Sequence, residues 1–120
     1  MAVAAKNPSP CLKFVQRITR SFIDYQGHDA VTIPQLQILS ARPGTIKANF
    51  QIGKHNVNRL GTLHGGCIAT LTDTMGSLAI ASKGFYSTGV STDINTTYVK
   101  SAGGVGDHVT VLGEVISMGE

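Results

Sequence analysis

The stretch Leu63-His64-Gly65-Gly66-Cys67-Ile68-Ala69-Thr70-Leu71-Thr72-Asp73-Thr74-Met75-Gly76-Ser77-Leu78-Ala79 decides the fold. Ile68, Leu71, Met75, Leu78 and Ala79 step by three and four along one stripe, which predicts a helix over residues 63 to about 83, ended by Gly84. Only Asp73 brings charge between Gly65 and Ser82. A helix this apolar on most sides is expected inside the fold.

Extended segments flank it. Ile46, Ala48, Phe50 and Ile52 alternate with Thr45, Lys47, Asn49 and Gln51, and an extended run over 33–40 ends at Arg42-Pro43-Gly44, so the two form a hairpin. A polar loop, 53–59, leads to the central helix. Two further strands are read at 89–100 and 108–118, joined by a turn over 103–107. Upstream, Ser9 as N-cap, Pro10 at the first helical position and Leu12, Val15, Ile18 and Phe22 describe an amphipathic helix, followed by a break at Gly27-His28-Asp29. The order helix, two strands, central helix, two strands is that of an α+β domain with a helix against an antiparallel sheet.

Composition narrows the function. At 120 residues and 42% hydrophobic content, one compact core is expected without disulfide stapling. Ten Lys/Arg against seven Asp/Glu give a charge of +3 with no dense basic cluster, which argues against nucleic acid. No apolar run approaches the roughly 20 residues of a membrane-spanning helix. Cys11 and Cys67 form no CxxC or CxxH spacing, so no zinc site or disulfide framework is expected and a reducing compartment fits. Lys6, Lys13, Arg17 and Arg20 precede the first acid, Asp24, a bias shared by mitochondrial presequences and by ordinary amphipathic helices. The localisation expected is therefore cytoplasmic or mitochondrial.

The chemistry concentrates between Asn58 and Asp73. Glycines at a helix entrance let a ligand approach the backbone, and the unpaired N–H groups of the first turn can polarise a carbonyl or hold an oxyanion. The G-x-x-x-x-G-K-[ST] phosphate cradle is absent. A carboxylate in an apolar helix is expected to be buried, and so to be paired, neutralised or useful. Gly66, Ala69, Gly76 and Ser77 surround Asp73 with small side chains, while Thr72 and Ser77 offer it a purely structural hydrogen bond. His64 and Cys67 fall at i, i+3, the spacing of a thiol–imidazole dyad, although a Cys in an apolar helix usually acts as a small hydrophobe. His64 better suits positioning a carbonyl or fixing the loop. His28, His55 and His108 read as surface or loop residues.

Spacing adds a geometric condition. Gly65 and Asp73 are eight residues apart, roughly 12 Å along a helix at 1.5 Å per residue, too far for one carbonyl to touch both. A shared carbonyl requires the amide and the carboxylate to come from different subunits.

Asn58, Gly61-Thr62-Leu63-His64-Gly65-Gly66, Ala69-Thr70-Leu71 with Asp73, and Gly89-Val90-Ser91-Thr92-Asp93-Ile94-Asn95-Thr96-Thr97-Tyr98 together resemble the hotdog-fold acyl-coenzyme A thioesterases of the thioesterase superfamily member 2 type. The resemblance implies an antiparallel sheet wrapped around the central helix, with residues 1–30 as an N-terminal helix and lead-in and 31–120 as the hotdog domain. It implies hydrolysis of a fatty acyl-CoA to free fatty acid and CoA, no cofactor or metal, and a homodimer or homotetramer with sites shared between subunits. By the same resemblance Asp73 acts as general base or nucleophile, the Gly65 amide and His64 polarise the thioester carbonyl, Asn58 orients the carbonyl or water, and Ser91 aligns the attacking water. A hotdog hydratase would instead rely on a catalytic His, and the acid after His64-Gly65-Gly66 favours hydrolysis.

The family's strand pattern continues with two strands where this chain stops at Gly119-Glu120, and those strands lie between the strands like 89–100 and 108–118. Either an unpaired edge beside the site is therefore expected, and with it the alternative of a catalytically impaired hotdog that binds acyl-CoA or associates with other subunits, or the sheet is completed by a rearrangement or a partner. Arg59, Lys54 and Lys100 are candidates for contact with the phosphates of CoA, without an assigned role.

Overall fold

The structure, a computed structural model, describes residues 9–84, 91–98 and 103–118, with the backbone alone for 91–98 and 116–118. Helix α1 is Pro10–Asp24, begun as its sequence dictates: the Ser9 hydroxyl accepts the Leu12 N–H at 3.1 Å and Pro10 opens the first turn. Its inner stripe buries Leu12 and Val15, with Ile18 and Phe22 packed at the edge of the core.

The break expected at Gly27-His28-Asp29 holds a second helix, α2, His28–Thr32. Five residues with β-branched Val31 and Thr32 do not sustain a helix by propensity. Tertiary hydrogen bonds anchor this one. Because Ile33 follows α2, buried to 1% exposure, the first strand begins at Gln37 and not at Ile33.

Strands β1 (Gln37–Arg42) and β2 (Thr45–Gln51) form the expected hairpin, with a register shift between Ile38 and Ser40. Ile46, Ala48 and Phe50 point inward, all at 1% exposure or less, and the residues between them face outward. The polar loop contains a short 3-10 turn, Lys54–Asn56, before the central helix α3, Gly65–Ala81. Strands β3 (Ser91–Tyr98) and β4 (His108–Met118) complete an antiparallel sheet of order β1-β2-β4-β3. Gly89, Val90 and Lys100, expected within the third strand, lie outside the described residues.

Direct pairing of β3 with β4, from Ser91 opposite Met118 to Tyr98 opposite Val111, replaces the expected gap with the other expected outcome, a sheet completed by rearrangement. The backbone edge of β4 that two further strands would occupy is closed by β3 itself. Among the described residues the edges of this sheet are β1 and β3.

Helix α3 lies across β4 with Leu71, Met75, Leu78 and Ala79 fully buried against Phe50, Val109 and Val111. Gly113 sets how close it comes: a Cβ there would stand 3.1 Å from the Met75 carbonyl oxygen. The end of α3 is fastened to the hairpin, since the buried Ser82 hydroxyl accepts the Gly44 N–H at 2.8 Å. The Gly44 carbonyl in turn accepts the Val115 N–H of β4 at 2.8 Å. Among the described residues no helix is long and apolar enough to cross a membrane.

Candidate active site

The loop before α3 doubles back on itself. Val57 bridges Leu63, and Asn58 exchanges backbone contact with Thr62 through its N–H at 2.8 Å. The Asn58 side chain folds the tip: Oδ1 accepts the N–H groups of Leu60 at 2.9 Å and Thr62 at 3.2 Å, and Nδ2 donates to the Thr62 hydroxyl at 3.0 Å. Asn58 is thus half-buried and engaged in shaping the loop.

Beneath the loop sits Asn56, which nothing in the hydropathy pattern singles out. It is 1% exposed. Its Oδ1 accepts from Gly53 N–H at 2.9 Å and Gln35 Nε2 at 2.8 Å, and its Nδ2 donates to the Thr32 carbonyl at 2.6 Å and to Cys67 Sγ at 3.4 Å. Its own carbonyl accepts the His64 N–H at 2.8 Å. The buried side chain therefore joins α2, the loop and α3, while the backbone carbonyl of the same residue sets where His64 stands.

His64 is the N-cap of α3, and its Nδ1 accepts the Gly66 N–H at 2.7 Å. Because an amide can only donate, the neutral ring carries its hydrogen on Nε2, and the exposed ring offers that N–H outward. Gly66 permits the approach, since a Cβ on it would meet His64 Nδ1 at 3.0 Å. Gly65 N–H finds no acceptor among the described residues, and the space where its Cβ would stand is open. These two donors point from the positive end of the helix dipole.

The thiol–imidazole pairing is not formed. Cys67 is 4% exposed and turned inward, burial pushes its thiol pKa up, and the Asn56 hydrogen bond offsets this only in part. His64 Nδ1 is taken by Gly66.

Asp73 departs from its expected burial: it is exposed, and it makes no hydrogen bond or ion pair with any described residue. The physical reason lies in the helix surface. Gly65, Ala69, Thr72 and Asp73 all fall within about 120° of the helix circumference at 3.6 residues per turn, and this face is exposed along the first half of α3. The Thr72 hydroxyl, one of the two structural partners expected for Asp73, donates to the Ile68 carbonyl at 2.9 Å. The helix runs unbroken from Gly65 to Ala81, so the roughly 12 Å between Gly65 and Asp73 stands. Ser91 begins β3, and its side chain lies outside the described residues.

On the other flank of α3, α2 is fastened by two polar contacts that the sequence reading missed. His28 Nε2 lies 2.9 Å from the Thr70 hydroxyl, and the Thr74 hydroxyl donates to Asp29 Oδ1 at 2.7 Å. Thr70 and Thr74, one turn apart on an apolar helix, are the signal that a polar partner packs there. No group of three or more potential metal ligands occurs among the described residues.

The arrangement offers two hydrogen-bond donors at one end of an exposed helical face and, farther along it, a carboxylate with no partner among the described residues. Comparison with known proteins puts a family to it. A Schizosaccharomyces pombe protein designated an esterase, provisionally, is 45% identical over 98 residues, covering 82% of this chain and 61% of that protein. Human acyl-coenzyme A thioesterase 13 is 31% identical over 86 residues, 72% of this chain and again 61% of the relative. The chain thus spans about three fifths of the length of both. The crystal structure of zebrafish thioesterase superfamily member 2 superposes with a TM-score of 0.76 at 35% identity, over 93% of this chain and 80% of that one. The thioesterase superfamily model matches residues 60–120, which begin at the tip of the Asn58 loop and take in His64, all of α3 and both last strands. On this evidence the chain belongs to the thioesterase superfamily, with the hotdog arrangement of a central helix against an antiparallel sheet.

Proposed function

We propose that the chain hydrolyses acyl-CoA thioesters at sites shared between two copies. The observation that carries this is α3 itself, which displays donors at Gly65 and His64 and, on the same exposed side, a carboxylate at Asp73, none of these groups having a partner among the described residues. The name of the human relative, acyl-coenzyme A thioesterase 13, supports the substrate class.

In this reading the Asp73 carboxylate of one copy takes a proton from water while the resulting hydroxide bonds to the thioester carbon held at Gly65 and His64 of the other. The carbonyl π-electrons move onto oxygen, and the Gly65 N–H and His64 Nε2–H receive the oxyanion. Collapse re-forms the carbonyl and breaks the carbon–sulfur bond, and the CoA thiolate recovers the proton from Asp73. Products are a free acid and CoA–SH, with water as the only co-reactant. Asn58 serves by holding the loop that aims His64, and Ser91 aligns the attacking water. A homodimer suffices, and a homotetramer is two such pairs.

The test is thiol release from acyl-CoA substrates by the parent and by Asp73→Asn. The parent turns over and the variant falls by about a hundredfold or more, the scale of a lost general base. Mixing folded Asp73→Asn with folded His64→Ala regenerates one intact site in each hybrid dimer, about a quarter of the parent activity after random exchange. Folded proteins without turnover overturn the hydrolase reading, and activity without complementation overturns the shared site.

A further inference from the structure

His28 is exposed, sits on a five-residue helix and takes no part in the chemistry above. Its hydrogen bond nevertheless reaches the donor end of α3. The Thr70 hydroxyl donates to the Gly66 carbonyl at 3.0 Å, an oxygen that can only accept. The Thr70 oxygen is then free to accept, so His28 Nε2, 2.9 Å away, is the donor and carries the hydrogen. Gly66 N–H donates in turn to His64 Nδ1 at 2.7 Å. Gly66 is held at both ends: its carbonyl by Thr70 and, through Thr70, by His28; its amide by the imidazole of His64.

We infer that His28 is a positioning residue for the hydrolytic centre, fixing the first turn of α3 through Thr70 and Gly66 so that His64 presents its Nε2–H to the substrate carbonyl. The inference rests on the thioesterase reading for its kinetic consequence, and on geometry alone for the link between the two rings. The first turn of a helix is where this support is most needed. Its amides lack intrahelical acceptors, so external contacts decide how still it is held. Gly66 has no side chain to pack, and its conformational freedom is restrained only by what bonds to it. Thr32 lies within reach of the same His28 nitrogen at 3.5 Å, a longer contact that leaves Thr70 as the main partner.

The experiment has two arms. In the kinetic arm, His28→Leu lowers kcat on acyl-CoA about fivefold with KM unchanged, within the range set by one net hydrogen bond. His28→Gln, whose amide can still donate, restores kcat to within about twofold. Thr70→Val reproduces the loss, and the double variant His28→Leu/Thr70→Val loses no more than either single change. Additive losses, or an unchanged kcat in His28→Leu, overturn the inference. In the second arm, imidazole nitrogen NMR of the parent reports both His28 and His64 as Nε2–H tautomers, and His28→Leu shifts the His64 Nδ1 resonance. A His64 resonance unmoved by His28→Leu overturns the link whether or not the chain hydrolyses thioesters. A moved resonance without turnover upholds the link and refutes only the hydrolase reading.

Discussion

Replacing Asn56 with Ala removes a buried amide without adding bulk, and its cost can be worked from the partners it leaves. Three bonds between nitrogen and oxygen are lost, to Gly53 N–H, Gln35 Nε2 and the Thr32 carbonyl, with the weaker Cys67 contact. Two of these partners keep other bonds: Gln35 Nε2 donates also to the Gln51 carbonyl at 2.7 Å, and His55 Nε2 lies 3.1 Å from the Thr32 carbonyl. Gly53 N–H loses its acceptor outright. At about 0.5–1.5 kcal/mol per net bond, with the orphaned amide at the upper end, the expected loss is about 2–3 kcal/mol. For a chain of this size that lowers Tm by about 8–12 °C. Circular dichroism melts of parent and variant read the shift, and urea titration reads the free energy directly. A loss below about 1 kcal/mol would refute the argument that Asn56 joins α2, the loop and α3. Because the His64 N–H bonds to the Asn56 backbone and not to its side chain, the secondary structure content of the folded variant stays that of the parent.

Two further predictions concern the packing of α3. Gly113→Ala places a methyl 3.1 Å from the Met75 backbone oxygen, which cannot swing aside, so helix and sheet must separate slightly; urea unfolding should show a loss of about 1–3 kcal/mol. For the cysteines, burial raises the pKa of both thiols, yet Cys11 is half-buried on α1 and Cys67 lies in the core. A colorimetric disulfide reagent on the native protein therefore modifies Cys11 first, and Cys67 only at the rate of unfolding; a fast Cys67 reaction would show that the loop opens far more readily than its hydrogen bonds imply.

What the residues disclosed and what they hid follow one physical divide. Periodic burial is visible in a sequence because each inward position is apolar by itself, so the α1 stripe, the β2 alternation and the limits of β4 were all legible. The Ser9 and Pro10 start signal was legible because capping is local. Helix α2 was hidden because its stability comes from His28–Thr70 and Asp29–Thr74, contacts across more than 40 residues of sequence. Asn56 was hidden for the same reason: a buried polar residue is defined by its partners and not by its own hydropathy. Asp73 was misjudged in a different way. The apolar composition of α3 suggested burial on all sides, but glycine and alanine count as apolar while covering little, and the face they form is open in the single chain. The direct pairing of β3 with β4 likewise depends on which backbone edges are available, a property of the assembled sheet that no local pattern encodes.

The fastening of the β1–β2 turn carries a consequence for how the molecule comes apart. Gly44 bonds to Ser82, 38 residues later, through its N–H, and to Val115, 71 residues later, through its carbonyl. The first bond waits on α3 and the second on β4, so the full fastening of the turn closes late in folding and its long loops slow the search. In the native state the order reverses: the hairpin turn cannot fray alone, as surface turns commonly do, because its amide is locked to the end of the central helix. Its exchange with solvent deuterium should then follow the global opening of the protein, making Gly44 a reporter of whole-fold stability placed at the tip of a hairpin.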